Sequence, residues 1–154
     1  MNSEMSAIVK TVSAFMTVPM MIFGLYVILH GHLTPGGGFP GGAVMATAVA
    51  MLIAAFGLSQ SDARKKDAFS LFESIGLLAF IAMAFVGLQS TFFANVLAGH
   101  GWIFGSSVSY GPNPGYLETG GVIPIMNFAV GIEVFAALSA VMLAIMLHRR
   151  EKHD

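Results

Sequence analysis

Glu133 has the strongest claim to chemistry in this chain. It stands near the middle of a long apolar run, Val122 to Leu147. A carboxylate at the centre of a bilayer costs about 3 kcal/mol on insertion scales, so ionisable groups at that depth usually mark ion or proton pathways. Low dielectric favours the neutral acid. An acid held there can exchange protons or bind a cation. Helical spacing puts Ala129, Ala136, Ala137 and Ala140 on the same face. A face of small residues suits close packing against another helix, so Glu133 is expected to point at protein or at a cavity. The plain alternative is a structural carboxyl hydrogen-bonded to a neighbouring helix. No Lys or Arg lies within the apolar runs at comparable depth, so a charged counterpart would be an ion or would come from another subunit.

The second chemical feature is the run Pro35-Gly36-Gly37-Gly38-Phe39-Pro40-Gly41-Gly42, preceded by His32. It contains a formal G-x-G-x-x-G, but no strand precedes it and no βαβ unit follows, so a dinucleotide site is excluded. No Lys-Ser or Lys-Thr follows the glycines, which excludes a phosphate loop. Glycines permit positive φ and close backbone approach. At a helix entrance they can expose backbone donors and acceptors to water or ions. A tight turn between two helices is the competing reading. His30 and His32 have the spacing of a weak metal pair, yet no carboxylate is near in sequence, so they read as interfacial residues and no metal site is assigned. No nucleophile–base pair, H-E-x-x-H or cofactor motif is present. The chain is read as neither an enzyme by itself nor the holder of a cofactor.

The elements that must position these groups are membrane helices. Hydrophobic residues make up 56% of the 154 residues and charged residues 10%, against about 25% charged in soluble domains. With no cysteine, disulfides and thiolate ligation are excluded. Four stretches approach or exceed the roughly 20 residues that cross a bilayer core: 8–29, 42–58, 69–93 and 122–147. The second is short and has room to gain a turn by starting inside the glycine-rich stretch before it. Lipid requires backbone groups to be paired internally, so each is predicted to be a helix, with Pro19 kinking the first. Ser70 and Glu73 read as a capping box opening the third span. Ala43, Ala46, Ala50, Ala54 and Gly57 form a small-residue stripe on the second, suited to helix packing. The seven Lys and Arg residues sit at Lys10, between spans two and three (Arg64, Lys65, Lys66), and in the tail (Arg149, Arg150, Lys152). Four spans put all seven on one face, which the positive-inside rule makes cytoplasmic. The expectation is therefore one all-α domain, multi-pass in the cell membrane, with four transmembrane helices and both termini cytoplasmic. The connection 95–121 is long for a loop without structure of its own, which is uncommon unless functional. Trp102, Tyr110 and Tyr116 suit the headgroup level.

The stretch Gly31-His32-Leu33-Thr34-Pro35-Gly36-Gly37-Gly38-Phe39-Pro40-Gly41-Gly42 resembles the MnhB/MrpB family, the B subunits of Mrp-type multisubunit cation/proton antiporters. There a G-H-x-x-P-G-G-G-F-x-G-G stretch follows the first of four helices. Length, helix count and inward termini agree as well, so the resemblance covers nearly the whole chain. It implies a small subunit of a large hetero-oligomer with other membrane subunits as partners, placed in the module proposed to conduct Na+ alongside H+. Related subunits occur in archaeal membrane-bound hydrogenase and sulfane-reductase complexes, where the antiporter module is coupled to a redox arm. The resemblance departs from the pattern in the fourth helix. Bacterial members tend to carry an acid at the position of Ala129; here the acid is Glu133, one turn on and on the same face. These details fit the archaeal, redox-linked branch better.

Three functions are consistent with these residues. The chain could be an antiporter-type subunit with Glu133 in a Na+ or H+ path whose outer mouth the glycine loop shapes. It could be a purely structural subunit that joins its neighbours. An independent channel is disfavoured by the absence of a filter-like set of polar residues. Lipid is the surrounding solvent in each case, and nothing points to nucleic acid.

Overall fold

The computed structural model describes residues 5–57, 62–88, 91–108, 110 and 115–152. Four helices dominate it: α1 (Ala7–Leu29), α2 (Gly38–Phe56), α3 (Asp62–Val86) and α4 (Ile123–Glu151). All four are long and apolar enough to cross a membrane. Large apolar side chains such as Ile8, Phe15, Ile22 and Leu78 lie more than half exposed, a surface that lipid tolerates and water does not.

Helices α1, α2 and α3 pair polar groups locally. The Ser6 hydroxyl caps α1 by accepting from the Val9 N–H at 3.3 Å. Inside the spans, Thr17 donates to the Ser13 carbonyl, Thr47 to that of Ala43 and Ser74 to that of Ser70. Such i−4 bonds keep hydroxyls paired without water. α1 runs through Pro19 without interruption.

The helices form a row in the order α1, α2, α4, α3. Of the other helices α3 contacts only α4, and α1 meets α4 over a small area. α4 is the hub because it is small on several faces: Ala129, Gly131, Ala136, Ser139 and Ala140 are all buried. Gly38 and Gly42 of α2 lie against Gly131, four residues of one helix matching four of the other, so α2 and α4 run parallel. α1 is antiparallel to α2, and α3 to α4.

The second helix starts at Gly38, inside the glycine run, and so gains the extra turn that the sequence left room for; its expected end at Leu58 lies outside the described residues. Three other boundaries differ from the sequence reading: the start and the end of the third helix, and the end of the fourth, which runs to Glu151 rather than 147. The third starts at Asp62, so Ser70 and Glu73 are helix-interior residues and the capping box is not one. The charged stretch from Arg64 to Ala68 contains no Gly or Pro, and Arg, Lys and Ala are good helix formers. The same helix ends at Val86 rather than 93. After Gly87 the chain folds back: Phe93 N–H donates to the Ala84 carbonyl at 3.1 Å, Phe93 packs on Phe80 and Phe92 on Phe85. The apolar character that reads as more helix is used in covering the helix end.

Candidate ion site and helix junction

Glu133 sits nearly three turns into α4 on the side that meets α3. The contact is close because Gly76 of α3 has no side chain. A Cβ built there would lie 2.8 Å from Glu133 Cβ and 2.9 Å from the Ala129 carbonyl oxygen. About two turns before Gly76 on α3, Phe69 meets Phe135 of α4 edge to face at 5.6 Å. Beside Gly76 the two helices leave a groove of about 200 Å³ lined by Gly76, Leu77, Phe80, Val130 and Glu133. Glu133, half-buried, is the one ionisable group among these lining residues. The arrangement can hold a proton or a small cation against one carboxylate. Glu73 lies one turn before Gly76 on α3 and is half-buried.

On the other side of α4 the glycine motif forms a three-helix junction. Gly41 faces α1, where a Cβ would be 2.6 Å from the Gly24 carbonyl oxygen and 2.5 Å from the Ile28 side chain. Gly38 and Gly42 face α4. A Cβ at Gly42 would lie 2.7 Å from the Gly131 carbonyl oxygen and 3.0 Å from the Phe135 nitrogen. Gly131 in turn receives the Ile28 side chain. Gly37 caps α2 with φ 126°, a conformation that side chains rarely adopt. Pro35, Gly36 and Phe39 remain exposed, and Gly36 lies near Val27.

His32 and Asn127 complete this end. Asn127 abuts Gly31, Gly37 and Gly38. The His32 ring lies against Gly120, which sits at φ 95°. The long connection is held over it by Asn95, a residue that sequence reasoning missed. Its amide donates to the Gly120 carbonyl at 3.0 Å and its Oδ1 accepts from the Val122 N–H at 2.9 Å. Thr119, 2% exposed, donates to the Tyr116 carbonyl. No motif announces Asn95. The one hint in sequence is a polar amide closing an apolar run ahead of a glycine-rich connection.

The structure therefore brings His32, Gly37, Gly38, Gly41 and Gly42 together but separates them from Glu133. None of the residues lining the Glu133 groove comes from the glycine motif, so within this chain the motif joins helices and does not form that groove's mouth. Of the α2 stripe, Ala46 is buried, Ala43 and Ala50 are half-buried, and Ala54 is exposed. Gly57, at φ 74°, meets nothing within 4 Å. Ala50 and Ala54 instead line an apolar cavity of about 280 Å³ between α2 and α4, with Ile53, Met142, Ile145 and Met146.

Fold and site together define a multi-pass membrane protein of four helices, three of which meet at a glycine junction, with one acid in a groove on the other side of α4. Residues 8–140 match the family described as a domain related to the MnhB subunit of Na+/H+ antiporters. The chain belongs to that family. It is 32% identical over 140 residues to an uncharacterized protein of Methanocaldococcus jannaschii, a match covering 88% of this chain and 50% of that one. It is 39% identical over 57 residues to a putative antiporter subunit mnhB2 of Staphylococcus saprophyticus, covering 37% of this chain and 40% of the other. Among solved structures, a chain of the membrane-bound sulfane sulfur reductase, an archaeal respiratory membrane complex, superposes with a TM-score of 0.71 at 30% identity. That match covers 94% of this chain and 60% of the other. The chain thus matches about half the length of these relatives.

Proposed function

We propose that the chain is one membrane subunit of a multisubunit cation/proton antiporter module, and that Glu133 lines its path for Na+ or H+. The observation that carries this reading is Glu133 itself, a half-buried carboxylate within a membrane-length helix, opening on a groove whose other lining groups are apolar or glycine. Ionisable groups held in such surroundings usually belong to ion or proton pathways. No Lys or Arg follows Lys66 in α3 or precedes Arg149 in α4, so a proton or a cation is the natural counter-charge. Of the other three helices α3 touches α4 alone, and a neighbouring subunit would supply the groove's remaining wall. The likeness to a respiratory membrane complex over 94% of the chain favours an assembly with a redox arm over a stand-alone antiporter. Both termini and the basic residues are taken to face the cytoplasm.

The test is Glu133→Gln in the whole complex, purified from its membrane and reconstituted in vesicles. Cation or proton flux should fall sharply while the subunit composition stays the same. Undiminished flux would take Glu133 out of the path and leave the chain a scaffold. Iron–sulfur proteins co-purifying with the complex would support the redox-linked assembly, and their absence would count against it.

A further inference from the structure

Three buried polar atoms at the end of the molecule remote from its termini have no use in the reading above. His32 Nδ1, His32 Nε2 and Asn127 Nδ2 are each shielded from solvent and, among the described residues, have no hydrogen-bond partner. Native structures pair nearly all such groups, because an orphan forfeits its hydration without return. They lie at the same end of the molecule, His32 between α1 and α2 and Asn127 in the first turns of α4. Asn127 abuts Gly31, the residue before His32, while the His32 ring lies beside Gly120, whose other neighbour is Pro124. Pro124 and Asn127 are three residues apart and share a face of α4.

We propose that His32 and Asn127 bound an internal water site and that His32 is its protonatable member. The donor set selects water over a metal ion. The Asn127 amide offers only N–H groups at its orphaned atom, and a neutral imidazole offers one N–H and one lone pair. A cation cannot accept from N–H groups, whereas water accepts from them and also donates to the ring lone pair. In acid, hydronium adds a proton to that lone pair and is left as water. The imidazolium then releases the proton on its opposite nitrogen to a second water. One proton has crossed the ring, and the neutral ring is left in its other tautomer.

The neighbouring titratable groups are few. At the end of α1, Tyr26 and His30 engage each other, with ring centroids 4.0 Å apart and His30 Nδ1 3.1 Å from the Tyr26 carbonyl oxygen. On the long connection, Tyr116 and Glu118 are exposed. α2 contributes none, and α4 none before Glu133. Asn127 and Glu133 are about 9 Å apart along the axis at 1.5 Å per residue, and about a third of a turn apart. The site is therefore separate from the Glu133 groove, and the proposal does not depend on the role given to Glu133.

The test is solid-state NMR of the full chain in liposomes, labelled with ¹⁵N at histidine and asparagine, with His32 assigned by the signal lost in His32→Gln. Proton transfer from water should reach the His32 ring nitrogens and the Asn127 amide as readily as it reaches the exposed His100. Asn127→Leu should slow the transfer to His32. The proposal is overturned by ring and amide signals that receive nothing from water, or by a transfer to His32 that Asn127→Leu leaves unchanged. Where His32→Gln does not fold, sequential backbone assignment of the uniformly ¹³C,¹⁵N-labelled wild-type chain identifies the same ring, and the wild-type spectrum then decides the matter.

Discussion

Gly42→Ala is the sharpest test of how this membrane domain is held together. The new methyl group would sit 2.7 Å from the Gly131 carbonyl oxygen, 3.0 Å from the Phe135 nitrogen and 3.0 Å from Val134 Cβ, where ordinary contact begins at 3.4 Å. Two of these three atoms are backbone, so no rotamer change relieves them. α2 and α4 must part locally by about 0.7 Å, the shortfall between the closest contact and ordinary contact. Between helices in lipid, close packing is itself a principal source of association, and overpacking typically costs about 1–3 kcal/mol. For a chain of this size that corresponds to a fall in Tm of about 2–12 °C. Thermal unfolding in mild detergent, followed by circular dichroism, measures it. The control is Ala14→Leu, an enlargement at an exposed position of α1, which should leave Tm nearly unchanged. If Gly42→Ala melts with the wild type, or if Ala14→Leu melts as early as Gly42→Ala, the glycine junction is not what joins these helices.

Three further outcomes are expected. Asn95→Leu removes both bonds that tie the long connection to Gly120 and Val122; it should cost about 1–3 kcal/mol and speed hydrogen exchange at Gly121 and Val122, as read by mass spectrometry. Ser139→Ala removes a fully buried hydroxyl that lacks a partner among the described residues; it should leave stability unchanged or raise it by about 1 kcal/mol, and a loss of more than that in the same melting assay would reveal an unseen partner. Because the chain has no cysteine, single Ser107→Cys and Lys152→Cys variants report orientation cleanly: in intact cells an impermeant maleimide should label the first and spare the second, and the reverse pattern would invert the assigned topology.

Much of the fold is legible from composition because lipid narrows the choices. A span of about 20 apolar residues must be a helix, so four helices follow from four runs. The boundaries are less legible, for identifiable reasons. Apolarity locates the part of a helix inside lipid, not its end. The charged start of α3 from Asp62 onward is invisible to that criterion, and the same criterion counts Phe92 and Phe93 as helix although they fold back on it. The Ser70–Glu73 pattern fits a capping box only if a helix begins there, which is a fact about the backbone rather than about the two residues.

The sequence by itself determined that the chain lives in lipid, that it has four spans, and that one acid and one glycine run stand out. Those properties follow from residue type and local spacing, which solvent and helical geometry act on directly. Only the tertiary structure decided which glycine faces which helix, that Gly76 brings α3 onto Glu133, and that the glycine run and the acid lie on different sides of α4. It also decided that Asn95 closes a loop across 25 residues and that His32 and Asn127 each leave shielded polar atoms without a partner among the described residues. These relations depend on the order in which helices pack, and that order is set by pairs of faces far apart in the chain.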